Sequence, residues 1–106
     1  MYAQEAGKGI QFLDNEPWEE VVKKAKKQRK LIFVDCYTSW CGPCKKLATE
    51  VFTRKDVGDY VNKKFVSVKY DVEKPNGLEF ARKYRDQISA FPTLLLIRQD
   101  GSIMQR

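Results

Sequence analysis

A chain of 106 residues, 42% apolar and 32% charged, holds one compact domain and leaves no room for two. Its longest unbroken apolar runs, Leu31–Val34 and Leu94–Ile97, are too short to cross a bilayer, so no membrane span is expected. With no His, Ser-His-Asp and Cys-His catalysis are excluded for want of an imidazole base, and with 3 Cys both a disulfide scaffold and an intrachain structural zinc site are disfavoured.

Residues 1–8 read as a flexible N-terminal segment and 9–106 as the domain. Nothing near Met1 resembles the apolar core of a secretion signal. A chain cut after such a signal would look the same, so the compartment stays open. Gly9–Leu13 is expected to be a short first strand. Asn15, Glu16 and Pro17 carry helix-start chemistry, with Asn15 as the capping side chain. Trp18, Val21, Val22 and Ala25 then form one apolar stripe on a helix reaching about Lys30.

The rest of that helix is basic: Lys23, Lys24, Lys26, Lys27, Arg29 and Lys30 supply much of the net charge of +6. Such a face can bind nucleic acid or anionic lipid. A solvated surface is the simpler reading, and no aromatic residue interleaves to stack on bases, so no nucleic-acid partner is expected.

Leu31–Tyr37, nearly all apolar with β-branched residues at its centre, has the pattern of a strand covered on both faces. Thr38, Ser39 and Trp40 lead to Cys41-Gly42-Pro43-Cys44 and a helical pattern carrying Leu47, Ala48, Val51 and Phe52. Asp56 is placed to cap a shorter helix with Val57, Tyr60 and Val61 facing inward. Phe65–Val72 alternates like another strand. Pro75-Asn76-Gly77 reads as a loop before a helix with Leu78, Ala81 and Tyr84. A strand follows from Phe91 to Ile97, opening at Pro92, and Asp100-Gly101 turns the chain into a last strand. This alternation defines a layered α/β domain.

Cys41 and Cys44 fall where the buried strand gives way to a helix. The unpaired N–H groups of a helix start favour negative charge, which stabilises a thiolate at Cys41. Cys44, about 4.5 Å further along the axis, can reach that sulfur and is expected to be the less exposed of the two. Pro43 is tolerated in a first turn, and Gly42 keeps the approach to Cys41 open. The chemistry this permits is thiol exchange: Cys41 attacks a disulfide, and Cys44 resolves the mixed disulfide. Half of a metal site has the same spacing, and a dimer pooling two pairs would complete one. Asp35 is an acid inside an apolar strand, either a proton acceptor of raised pKa or a carboxylate at a wet strand end. Cys36, on the opposite face, reads as a small buried hydrophobe.

The string Trp40-Cys41-Gly42-Pro43-Cys44-Lys45 resembles the active-site motif of thioredoxin, and the order of elements resembles that fold over essentially the whole chain. The stretch LIFVDCYTSW with its lysine-rich helix is similar to the thioredoxin-like domains of bacterial thiol:disulfide interchange proteins. The resemblance implies a mixed central sheet flanked by helices, lacking the family's last helix. It implies a protein thiol-disulfide oxidoreductase, the alternative being a non-catalytic partner-binding module. The redox-active Cys41–Cys44 disulfide would take the place of a cofactor. Partners would be protein disulfides or dithiols and an upstream donor, the protein a monomer, and the bacterial periplasm or envelope favoured over the cytoplasm. Asp35 would act as proton acceptor with Lys69 beside it. Trp40, which either packs on its loop or meets partners, would form the substrate surface with Gly42, Pro43, Phe91, a cis Pro92 and Thr93.

Overall fold

A computed structural model describes residues 9–105. The expected flexible segment 1–8 lies outside the described residues. Five strands, β1 (Phe12–Asp14), β2 (Leu31–Tyr37), β3 (Phe65–Asp71), β4 (Thr93–Ile97) and β5 (Ile103–Gln105), form one sheet in the order β1-β3-β2-β4-β5. β1, β3 and β2 run parallel, whereas β4 lies antiparallel to β2 and β5 to β4. The helices are α1 (Trp18–Gln28), α2 (Gly42–Glu50), α3 (Lys55–Lys64) and α4 (Pro75–Lys83), with a 3-10 turn at Arg85–Gln87.

Strand alternation divides the molecule. Ile32, Val34 and Cys36 of β2, Val66, Val68 and Tyr70 of β3, and Leu95 and Ile97 of β4 join Val21 and Ala25 of α1 and Phe80 of α4 in the buried core. Trp18, Tyr70, Phe80 and Tyr84 pack ring against ring there, with centroids 4.7–5.8 Å apart. On the other face Phe33 meets Phe12, Phe52 and Phe65 at 5.9–6.5 Å. The apolar stripe expected on α1 buries Val21 and Ala25 as its spacing requires. The helix ends at Arg29, whose left-handed φ of 57° lets its N–H return to Ala25 and Lys26 carbonyls.

Several boundaries differ from the sequence reading. The first strand starts at Phe12 because residues 9–11 lie against α3 instead: Ile10 N–H bonds the Phe52 carbonyl at 2.8 Å, and Asn62 bonds both Gly9 and Gln11. Asn15 caps nothing. It sits at a left-handed φ of 54°, and its Oδ1 accepts from Asp71 N at 2.9 Å, so α1 begins after Pro17 without a side-chain cap. Asp56 lies inside the first turn of α3, with Arg54 at the cap position. α2 stops at Glu50, short of Val51 and Phe52, and β3 stops at Asp71. Pro75, Asn76 and Gly77 are the first turn of α4, not a loop. Gly77 is needed there because a Cβ would fall on the Asp71 carbonyl. β4 begins at Thr93, one residue after Pro92.

Candidate active site

β2 ends at Tyr37, and the turn that follows delivers Cys41 to the start of α2. Cys41 N–H donates to the Thr38 carbonyl at 3.3 Å and closes that turn. Cys41 is itself the N-cap, in extended conformation at φ −85°. Its Sγ accepts from Cys44 N at 3.1 Å, and its carbonyl accepts from Lys45 N at 3.2 Å. Sulfur thus occupies the place where a helix start most favours negative charge, and no acid in the first turn of α2 competes for it. Pro43 lies within that turn, and Gly42 has open space where a Cβ would be.

Cys41 and Cys44 are joined in a disulfide, with their Cα atoms 5.3 Å apart. Both are 6% exposed, so Cys44 is not the more hidden residue of the pair. Asp35 of β2 stands behind them on the face toward α2. A pocket of about 130 Å³ is lined by Asp35, Tyr37, Cys44, Lys45, Ala48 and Lys69. Asp35 is also 6% exposed, and its Oδ1 is buried without a hydrogen-bond partner. Burial pushes its carboxyl up to about 6, against a smaller downward pull from Lys69. Lys69 is its register partner on β3, half-buried. Asp35 is thus no wet strand end.

Cys36, one residue later and on the opposite face, is fully buried, and burial followed by the Asp35 charge pushes its thiol up to about 12. A thiol held neutral in this way is no nucleophile. Thr93 pairs with Cys36 across β4, which sets Phe91-Pro92-Thr93 at the same end of the sheet as the disulfide. The Phe91–Pro92 peptide is cis. The Phe91 ring is half-buried against the core, and Thr93 Oγ1 bonds the Ala90 carbonyl. Trp40 is 67% exposed, and its Nε1 donates to Glu73 Oε2 at 3.0 Å.

The sequence reading missed Tyr37, Lys45 and Glu73. Tyr37 follows Asp35 at the strand spacing of two, which places it on the same face, and Lys45 follows Cys41 by one helical turn. Glu73 is 33 residues from Trp40, and nothing local announces it.

Two sulfurs that share a bond at a helix start, beside one buried carboxyl, can exchange two electrons. The protein is a thiol-disulfide oxidoreductase. Comparison with known proteins places it further: the model of the thioredoxin-like domain matches residues 18–106, and the chain belongs to that family. It is 35% identical over 84 residues to the thioredoxin of Echinococcus granulosus, a match spanning 79% of this chain and 71% of that one. A match to the protein disulfide-isomerase of Datisca glomerata is 28% identical over 107 residues but spans 20% of that longer protein. The solution structure of a candidate disulphide-isomerase from Bacteroides thetaiotaomicron superimposes with a TM-score of 0.76 at 45% identity, covering 91% of this chain and 77% of the other.

Proposed function

We propose that the protein exchanges disulfides with other proteins, with Cys41 as nucleophile, Cys44 as resolving thiol and Asp35 as proton acceptor. In the reduced protein the Cys41 thiolate attacks one sulfur of a substrate disulfide. That S–S bond breaks, and the displaced thiolate leaves and takes up a proton from water. Cys44 then gives its proton to the Asp35 carboxylate and attacks Cys41 Sγ. The Cys41–Cys44 disulfide forms, and the second substrate thiolate departs and takes up the proton held on Asp35, so the substrate has gained two electrons and two protons and the carboxylate is restored. An upstream dithiol donor returns the electrons, so no cofactor is required. Lys69 favours the charged form of the Asp35 carboxyl and so partly opposes the effect of burial. Trp40, Gly42 and Pro43 form one side of the substrate surface and Phe91-Pro92-Thr93 the other. With the Phe91 ring turned into the core, the backbone there is left to pair with an extended substrate segment. The protein acts as a monomer.

The observation that carries this reading is the disulfide at the start of α2, opening on the pocket that holds Asp35. Cys44→Ser tests it. The variant is expected to accumulate covalent adducts with protein disulfides through Cys41, released by excess dithiol. Absence of any adduct from the reduced variant would remove the resolving role.

A further inference from the structure

Trp40 stands next to the nucleophile, and its hydrogen bond to Glu73 joins the active-site turn to the turn between β3 and α4. That second turn is firmly held. Glu73 N–H donates to Asp71 Oδ1 at 3.0 Å, and Lys74 N–H donates to the Asp71 carbonyl at 3.0 Å. Asp71 N–H donates to Asn15 Oδ1 at 2.9 Å, and Asn76 Nδ2 donates to the Asn15 carbonyl at 2.9 Å. A buried aspartate and the left-handed residue after β1 therefore fix the backbone from which an exposed glutamate reaches Trp40 at the edge of the site. Only Oε2 of Glu73 is used. Oε1 has no hydrogen bond, and Glu73 has no ion pair, among the described residues.

The charge around it has the other sign. Lys45 at the end of the first turn of α2, Lys46 after it and Lys74 beside Glu73 are all exposed, and the whole chain carries +6. Asp35 and Asp71 are buried, so Glu73 is the exposed carboxylate that a basic substrate segment meets beside Trp40. The exposed indole of Trp40 adds a second attraction of the same kind, since the face of Trp draws cations, guanidinium above all.

Resting on the thiol-exchange reading above, we propose that Glu73 is a specificity-determining residue of the site. It holds Trp40 as a platform beside Cys41 and offers its free oxygen to an Arg or Lys flanking the substrate's cysteine. Substrates with an acidic residue there are disfavoured.

Three peptides test this, each with one intramolecular disulfide and differing only in the residue beside the attacked cysteine: Arg, Gln or Glu. With dithiothreitol as donor, the protein is expected to reduce the Arg peptide with about fivefold higher kcat/KM than the Glu peptide at low salt, the scale of exposed charge pairs. The ratio shrinks toward one as ionic strength rises. Glu73→Gln keeps an acceptor for the Trp40 indole, so it leaves Trp40 emission unchanged, read in a Trp18→Phe background, while the Arg-to-Glu ratio falls to one or below, since the neighbouring lysines remain. Glu73→Lys inverts the ratio. Glu73→Ala both collapses it and shifts Trp40 emission. A wild-type protein indifferent to the three residues, or a ratio that survives Glu73→Gln, overturns the proposal, and unshifted emission in Glu73→Ala overturns the platform. Failure to reduce any of the three peptides instead overturns the thiol-exchange reading and this inference with it.

Discussion

Along β2, Ile32, Val34 and Cys36 point toward α1 and α4, whereas Phe33, Asp35 and Tyr37 point toward α2. The first set is fully buried among apolar neighbours and aromatic rings. The second set is mixed: a half-buried phenylalanine, a buried carboxyl without a hydrogen bond at Oδ1, and a pocket reaching the disulfide. One seven-residue strand thus serves both stability and chemistry, and the pleat keeps the two apart. The carboxyl is energetically costly in the same dry interior that would suit it to the proposed role as a base, and the apolar face offsets that cost.

The strongest way to break this division is to damage the apolar face and look for lost chemistry. Phe80→Ala removes a ring packed between Trp18, Tyr70 and Tyr84, and it should cost about 3–5 kcal/mol in urea unfolding. The kcat of the fraction that remains folded should stay within about twofold of wild type, since Phe80 touches nothing in the pocket. A large fall in kcat at full folding would show that the faces are coupled.

Damaging the other face should do the opposite. The Asp35 carboxyl titrates at about 6 in the folded protein and near its ordinary 3.8 when unfolded. The folded state therefore binds the proton more tightly, and the charged form opposes folding. Stability is reduced above pH 6 by up to about 3 kcal/mol and is regained as pH falls from 6 toward 3.8. Asp35→Asn should accordingly be more stable than wild type at pH 8 and equal to it at pH 4, both measured on the oxidised form. At pH 7 its resolution of a mixed disulfide should slow about 100-fold for want of the base. A stability gap that does not change with pH would mean that the carboxyl is not the group responsible.

The strands that carry this division were legible because burial on both faces leaves β-branched and apolar residues in unbroken runs, as in Leu31–Val34 and Leu94–Ile97. The cysteine pair was legible because its whole chemistry lies within four residues at a strand-to-helix junction. Asn15 and Gly77 misled for a shared reason. Each is a residue typical of caps and turns, but the demand on it comes from Asp71, whose N–H takes the Asn15 side chain and whose carbonyl leaves no room for a Cβ at residue 77. Local propensity cannot register a partner that only the fold brings near, as in the Asn15–Asp71 bond. Glu73 was invisible on the same grounds.

The finest test of the division uses the two cysteines that lie on either side of it, five residues apart. Cys36 is closed in by the core, and its thiol, pushed up to about 12, stays protonated throughout the neutral range. Cys41 caps a helix, where the unpaired N–H groups favour negative charge. In the reduced protein at pH 8, iodoacetamide should label Cys41 rapidly and reach Cys36 only after unfolding. Cys36→Ala should cost about 1 kcal/mol, the loss of one small group's packing in a tight interior, and leave turnover unchanged. Labelling of Cys36 at a rate near that of Cys41, or turnover lost with Cys36→Ala, would mean that the interior opens to the site on the timescale of catalysis. The sheet would then no longer divide structure from chemistry.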